Sequence, residues 1–121
     1  MKLVWISGRQ LDSDLAATTE ISLCRSMTEE GVEVKLISPG RRINDLFEHI
    51  EVRKIPIRGL NTISGAWRIK QILKERKDLL NNCDMILVDW RYVRTLKKML
   101  ISIGKKWAII DRGPPTYLGL L

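Results

Sequence analysis

The sequence predicts an α/β fold: a Rossmann-like, doubly wound parallel sheet of about five strands, ordered 3-2-1-4-5, with helices on both faces. Three observations carry this reading. The first is the opening run Leu3-Val4-Trp5-Ile6-Ser7-Gly8, apolar, too short for a helix and ended by a glycine where a turn is expected. The second is the amphipathic stretch that follows, stopped by Gly31 and succeeded by a second apolar run, Val34 to Ile37. Strand, crossover and parallel strand in this order form a βαβ unit. The third is Met85-Ile86-Leu87-Val88, apolar throughout, as a central parallel strand covered on both faces should be.

Each element has a local reason. After the first strand, Asp12 and Ser13 are candidate N-caps, because their oxygens accept backbone N–H groups that a helix start leaves unpaired. The first helix is expected over residues 14–30. Ala17, Ile21, Cys24 and Met27 with Thr28 face the sheet, while Glu20, Arg25, Glu29 and Glu30 take the outer side. A second strand over 34–38 ends at the breaker pair Pro39-Gly40, followed by Arg41 and Arg42. A third strand is expected over 51–57, at an edge because Pro56 lacks an N–H for a ladder.

Ser64 is a candidate cap for a second helix over 65–80, with Ala66, Ile69, Leu73 and Leu80 inward and Arg68, Lys70, Lys74, Arg76 and Lys77 outward. Asn81-Asn82 ends it. The fourth strand leads into a third helix over 92–103 that stops at Gly104, and residues 107–111 form the last strand. No internal repeat or low-complexity segment is present.

A chain of 121 residues suits one domain with one buried sheet. With 45% hydrophobic and 29% charged residues, the composition is that of a globular protein. No apolar run reaches the ~20 residues of a membrane span, and no signal peptide is legible, so a cytoplasmic location is expected. Cys24 and Cys83 are widely separated and there is one His, so the expectation is core cysteines, no metal and no cofactor. The apolar stretch 118–121 has no partner element of its own. It suggests a domain excised from a longer protein, or a tail packed on the sheet edge.

The net charge of +7 stands out and implies attraction to something anionic: nucleic acid, acidic lipid or a phosphorylated substrate. Beyond the second helix, Arg94, Lys97, Lys98, Lys105 and Lys106 add to it. The basic faces are either solvated helix surfaces or surfaces that meet anionic headgroups. Nucleic acid is disfavoured, because the four Trp, two Tyr and one Phe do not interleave with the basic residues as stacking platforms do.

In this topology ligands bind at the carboxyl ends of the strands, where the order reverses between strands one and four. The candidate site residues are therefore Gly8, Arg9 and Gln10 after the first strand, Asp89 and Trp90 after the fourth, and Asp111 and Arg112 after the fifth. Gly8 lets backbone approach a phosphate or sugar, or is only a turn glycine. Arg9, Arg91 and Arg112 can make bidentate contacts to an anion. Asp89 and Asp111 orient a ligand or cap the segments that follow; Trp90 is a ligand platform or packs on a loop. His49 reads as a surface residue. The run SGRQLD is neither a dinucleotide fingerprint nor a P-loop, and no Ser or Cys nucleophile is paired with His and Asp.

The run ISLCRSMTEEGVEVKLIS (residues 21–38) resembles the first helix and second strand of the N-terminal domain of GT-B fold glycosyltransferases, group 1 or family 4 type. That family has a leucine-alanine-arginine pattern followed by Gly-His-Glu-Val; Val32 stands here for the usual His. LLNNCDMILVDW (79–90) and IIDRGPP (109–115) are similar to its fourth strand and to its turn after strand five. The resemblance implies the acceptor-side half of a two-domain, metal-independent retaining enzyme. Its nucleotide-sugar donor would bind a C-terminal domain outside residues 1–121, and its acceptor would be a glycan or lipid. A basic face meeting an anionic membrane is part of what it implies. The family's glycine-rich loop is reduced here to Gly8.

The alternative is a stand-alone flavodoxin-like or receiver-like module that binds an acidic partner through its basic face. Against a phospho-receiver, no acidic pair follows strand one directly; Asp12 and Asp14 lie further on.

Overall fold

The computed structural model describes residues 1–8, 17–40, 47–52 and 61–110, and nine elements fall among them. They are β1 (Lys2–Ile6), α1 (Ala17–Glu29), β2 (Glu33–Pro39), β3 (Glu48–Val52), α2 (Asn61–Glu75), α3 (Lys77–Asn81), β4 (Met85–Asp89), α4 (Trp90–Ile103) and β5 (Lys106–Ile110). The sheet is parallel throughout, in the order β3-β2-β1-β4-β5. The predicted fold class and strand order are the observed ones.

Alternation along the strands divides the core in two. Leu3 and Trp5 of β1 with Val34 and Leu36 of β2 pack under α1, joined by Cys24 and Phe47. Val4 and Ile6, with Ile86 and Val88 of β4, pack under α2, α3 and α4 against Ala66, Ile69, Leu73, Leu96 and Leu100. Because β1 and β4 are covered on both sides, both are apolar along their length. Cys24 and Cys83 are buried free thiols.

Stops and starts follow the expected chemistry at most positions. Gly31 (φ 91°) ends α1 and Gly104 (φ 77°) ends α4, both in the left-handed region that a Cβ disfavours. At the amino edge, Asp84 accepts from the Lys2 amide (2.7 Å), and its own amide donates to the Lys2 carbonyl (2.8 Å), fixing β4 beside β1.

Four expectations are corrected. The third strand runs from Glu48 to Val52, earlier than 51–57, because His49 and Val52 supply its buried positions; residues 53–57 lie outside those described. Ser64 is not a cap, since α2 already begins at Asn61. The expected helix over 65–80 is two helices, broken at Arg76 (φ −113°, ψ 66°), which re-aims Leu79 and Leu80 into the core. Glu20, placed outward by helical spacing, is 3% exposed.

Candidate functional site

β1 makes hydrogen-bonded pairs with β2 on one side and β4 on the other, and the chain leaves these strands toward opposite faces of the sheet. A reversal of this kind is the switch point at which open α/β sheets bind ligands. Ser7, Gly8, Asp89 and Trp90 stand there.

Asp89 ties the two strand ends together. Its Oδ1 accepts from the Arg91 amide at 3.0 Å, which makes it the N-cap of α4. Its Oδ2 accepts from the Gly8 amide at 3.0 Å. The capping role expected as one of two for Asp89 is thus observed, and a second backbone is held as well. Arg91 Nε lies 3.4 Å from Asp89 Oδ1, an ion pair by distance whose angle is not that of a hydrogen bond.

Gly8 is required by close approach rather than by a turn. Its φ is not positive. A Cβ there would sit 2.9 Å from Asp89 Oδ2 and 3.2 Å from the Tyr92 hydroxyl oxygen. Tyr92 is buried beneath, and its hydroxyl is pushed up to about 12 by burial and by the Asp89 carboxylate, partly opposed by Arg91. That phenol stays protonated at neutral pH.

Two buried polar pairs flank the edge, and neither was legible in advance. Ser7 Oγ donates to Glu20 Oε2 at 2.7 Å, linking the end of β1 to the first turn of α1. The Ser7 amide also donates to the Ile37 carbonyl at 2.8 Å. On β2 and β3, Ser38 Oγ lies 2.8 Å from His49 Nε2, which is also 3.1 Å from the Ser38 carbonyl oxygen. His49, read as a surface residue, is 8% exposed. A carboxylate four residues from Cys24 on the sheet-facing side was the available signal for Glu20; for His49 it was Phe47, whose burial draws the strand start inward.

Trp90 opens α4 with about half of its surface exposed. Of the predicted site residues, Gly8, Asp89 and Trp90 are brought together here. Arg9, Gln10, Asp111 and Arg112 lie outside the described residues. Among the described residues no group of three or more His, Cys, Asp or Glu is placed to hold a metal ion. No described helix is long and apolar enough to cross a membrane. Beside Gly8 and Asp89 stand the half-exposed Trp90 indole and the partly exposed Arg91 guanidinium.

The fold is that of a Rossmann-like α/β domain, with Gly8, Asp89 and Trp90 at the switch point of its sheet. No protein-family model and no curated protein matches the chain. Among solved structures it is similar to a UGT transferase from Siraitia grosvenorii in complex with UDP, at a TM-score of 0.55 and 12% identity. The likeness covers 91% of this chain, which spans 27% of the length of that transferase. At this identity it shows the fold.

Proposed function

We propose that this chain is the N-terminal, acceptor-binding domain of a retaining glycosyltransferase that moves a sugar from a nucleotide-sugar donor to a glycan or lipid acceptor. The donor would sit on a second, C-terminal domain. The observation that carries the reading is the parallel 3-2-1-4-5 sheet, which superposes on part of a UGT transferase holding UDP. The motif resemblance in residues 21–38, 79–90 and 109–115 points the same way.

In this role the Gly8–Asp89 contact fixes the floor of the crevice, and Trp90 offers its indole face to a sugar ring or lipid headgroup. Arg9, Gln10, Asp111 and Arg112 would complete the rim, with Arg112 orienting the acceptor. The reacting groups belong to the full-length enzyme, and a peripheral membrane location belongs to the same reading.

The test is a donor screen on the full-length gene product, with nucleotide sugars assayed for hydrolysis and for transfer to glycan and lipid extracts. Turnover with one donor, lost on truncation to residues 1–121, is the expected result. In that enzyme Trp90→Ala should raise the acceptor KM and leave the donor KM unchanged. A gene product that turns over no nucleotide sugar would refute the proposal.

A further inference from the structure

The other end of the sheet, away from the switch point, holds charges where its topology calls for apolar residues. β2 lies between β1 and β3, so it is not an edge strand, and an inner strand is ordinarily apolar on a helix-covered face. Val4 of β1 and Ile37 of β2 obey this on the face under α2, α3 and α4. Alternation and register place Lys2 of β1 with Glu33 and Lys35 of β2 on that same face, Lys2 opposite Glu33 and Val4 opposite Lys35.

These three charged residues border a hollow of about 160 Å³ that Val4, Leu79 and Cys83 also line. From the helical layer only α3 and the turn after it reach this hollow. Leu79 and Cys83 are enclosed, and the Cys83 thiol is already engaged, donating to the Leu80 carbonyl at 3.2 Å. The charged side chains are not. Among the described residues Lys2, Glu33 and Lys35 form no ion pair, across the hollow or outside it. Glu48 stands opposite Lys35 on β3 but meets Arg76 instead, at 3.9 Å. Lys35 is half-buried, so part of its side chain is fixed against the hollow without a carboxylate to meet it.

We infer that this hollow binds an acidic amino acid. Two ammonium groups and one carboxylate around one space are complemented by two carboxylates and one ammonium, the charge set of aspartate or glutamate. Size agrees. A cavity of about 150 Å³ takes up benzene, so the observed volume suits a molecule of roughly six to ten non-hydrogen atoms. Lys2 and Lys35 would each hold a carboxylate and Glu33 the ammonium, with the carbon chain against Val4 and Leu79. An inorganic anion would leave Glu33 facing like charge, and a neutral amino acid would leave one lysine unmatched. The hollow lies at the opposite end of the strands from Gly8 and Asp89, so the inference goes beyond sugar transfer and does not depend on it.

The experiment is a titration of the isotopically labelled full chain with L-aspartate, L-glutamate, L-alanine, succinate and inorganic phosphate, followed by amide chemical shifts and by calorimetry. Saturable binding of aspartate or glutamate, weakened by salt, is the expected result, with shifts at Lys2, Glu33, Lys35 and Leu79 and none at Gly8 or Trp90. Alanine, succinate and phosphate should each bind about tenfold or more weakly. Lys35→Met and Glu33→Gln should each lower the affinity by about tenfold or more, with the rest of the amide spectrum unchanged. The preference of the unaltered chain among the five probes decides the matter without reliance on any variant. No saturable binding of either acidic amino acid, any other probe binding as tightly, or shifts confined to the switch point would each overturn the inference. A gene product that transfers no sugar would keep this site, and one that ignores aspartate and glutamate would still transfer, so the two proposals fail separately.

Discussion

The Gly8 amide donates to Asp89 Oδ2 at 3.0 Å, and a methyl group on Gly8 would sit 2.9 Å from that same oxygen. The contact joins the ends of β1 and β4, strands adjacent in the sheet but far apart in sequence. It explains why a glycine with an ordinary φ is needed at this point. Gly8→Ala should destabilise the fold by about 1–3 kcal/mol, the usual cost of overpacking a close contact, since neither Asp89 nor Tyr92 is free to retreat. Urea denaturation reads the change, and a midpoint equal to that of the unaltered chain would remove the packing argument.

Asp89 serves two donors with two different oxygens. Asp89→Asn keeps the size but turns one oxygen into an NH₂, which faces one of the two amides donor to donor. We expect a loss of about 1–2 kcal/mol, a lost cap or hydrogen bond. Hydrogen exchange separates the possibilities, because whichever of the Gly8 and Arg91 amides loses its acceptor should exchange faster. Unchanged exchange at both amides would mean that neither bond is maintained in solution.

The sheet was readable because its signals are mutually redundant. The apolar runs of β1, β2 and β4 are short, and Gly31 and Gly104 mark helix ends that no competing pattern contests. β3 was misplaced by several residues, because its polar letters, Glu48, His49 and Glu51, conceal a buried histidine held by Ser38. Spacing alone assigned Glu20 outward, although the end of β1 carries a hydroxyl able to satisfy it. Buried polar pairs of this kind join residues distant in sequence, and a one-dimensional pattern does not record which serine meets which carboxylate or ring. Topology alone points to the strand ends where Gly8 and Asp89 stand, whereas the Gly8–Asp89–Tyr92 packing there needed three-dimensional distances.

Glu20 is the residue for which that difference is testable. Its carboxylate is nine-tenths or more enclosed and accepts from Ser7 Oγ at 2.7 Å, so α1 is docked on β1 through a polar contact. Glu20→Ala should cost about 1–3 kcal/mol and Ser7→Ala about 1 kcal/mol. The double variant should be less destabilised than the sum of the two, because residues sharing a bond are not additive. Strict additivity in chemical denaturation would show that the two side chains act independently.

Alkaline pH should unfold this chain through groups held protonated in the core. Burial pushes the Cys24 thiol from 9.0 up to about 12, with Glu20 adding to the rise. Burial and Asp89 push the Tyr92 phenol from 10.0 up to about 12. Cys83 is raised as well, by burial first, with Lys105 opposing. Above pH 9 the unfolded chain releases the thiol protons while the folded chain keeps them, and above pH 10 the same holds for the phenol. The folded state then binds more protons than the unfolded state, so stability falls as pH rises through this window. Urea midpoints should be level from neutral pH to about 9 and decline steadily toward 12. Cys24→Ala should flatten the part of the decline that begins near 9, and Tyr92→Phe the part that begins near 10. Cys24 should also resist thiol reagents in the native state, since the thiolate is the reacting form. A midpoint that holds level through the whole window, or rapid modification of native Cys24, would mean that the groups ionise without unfolding and that the core admits solvent.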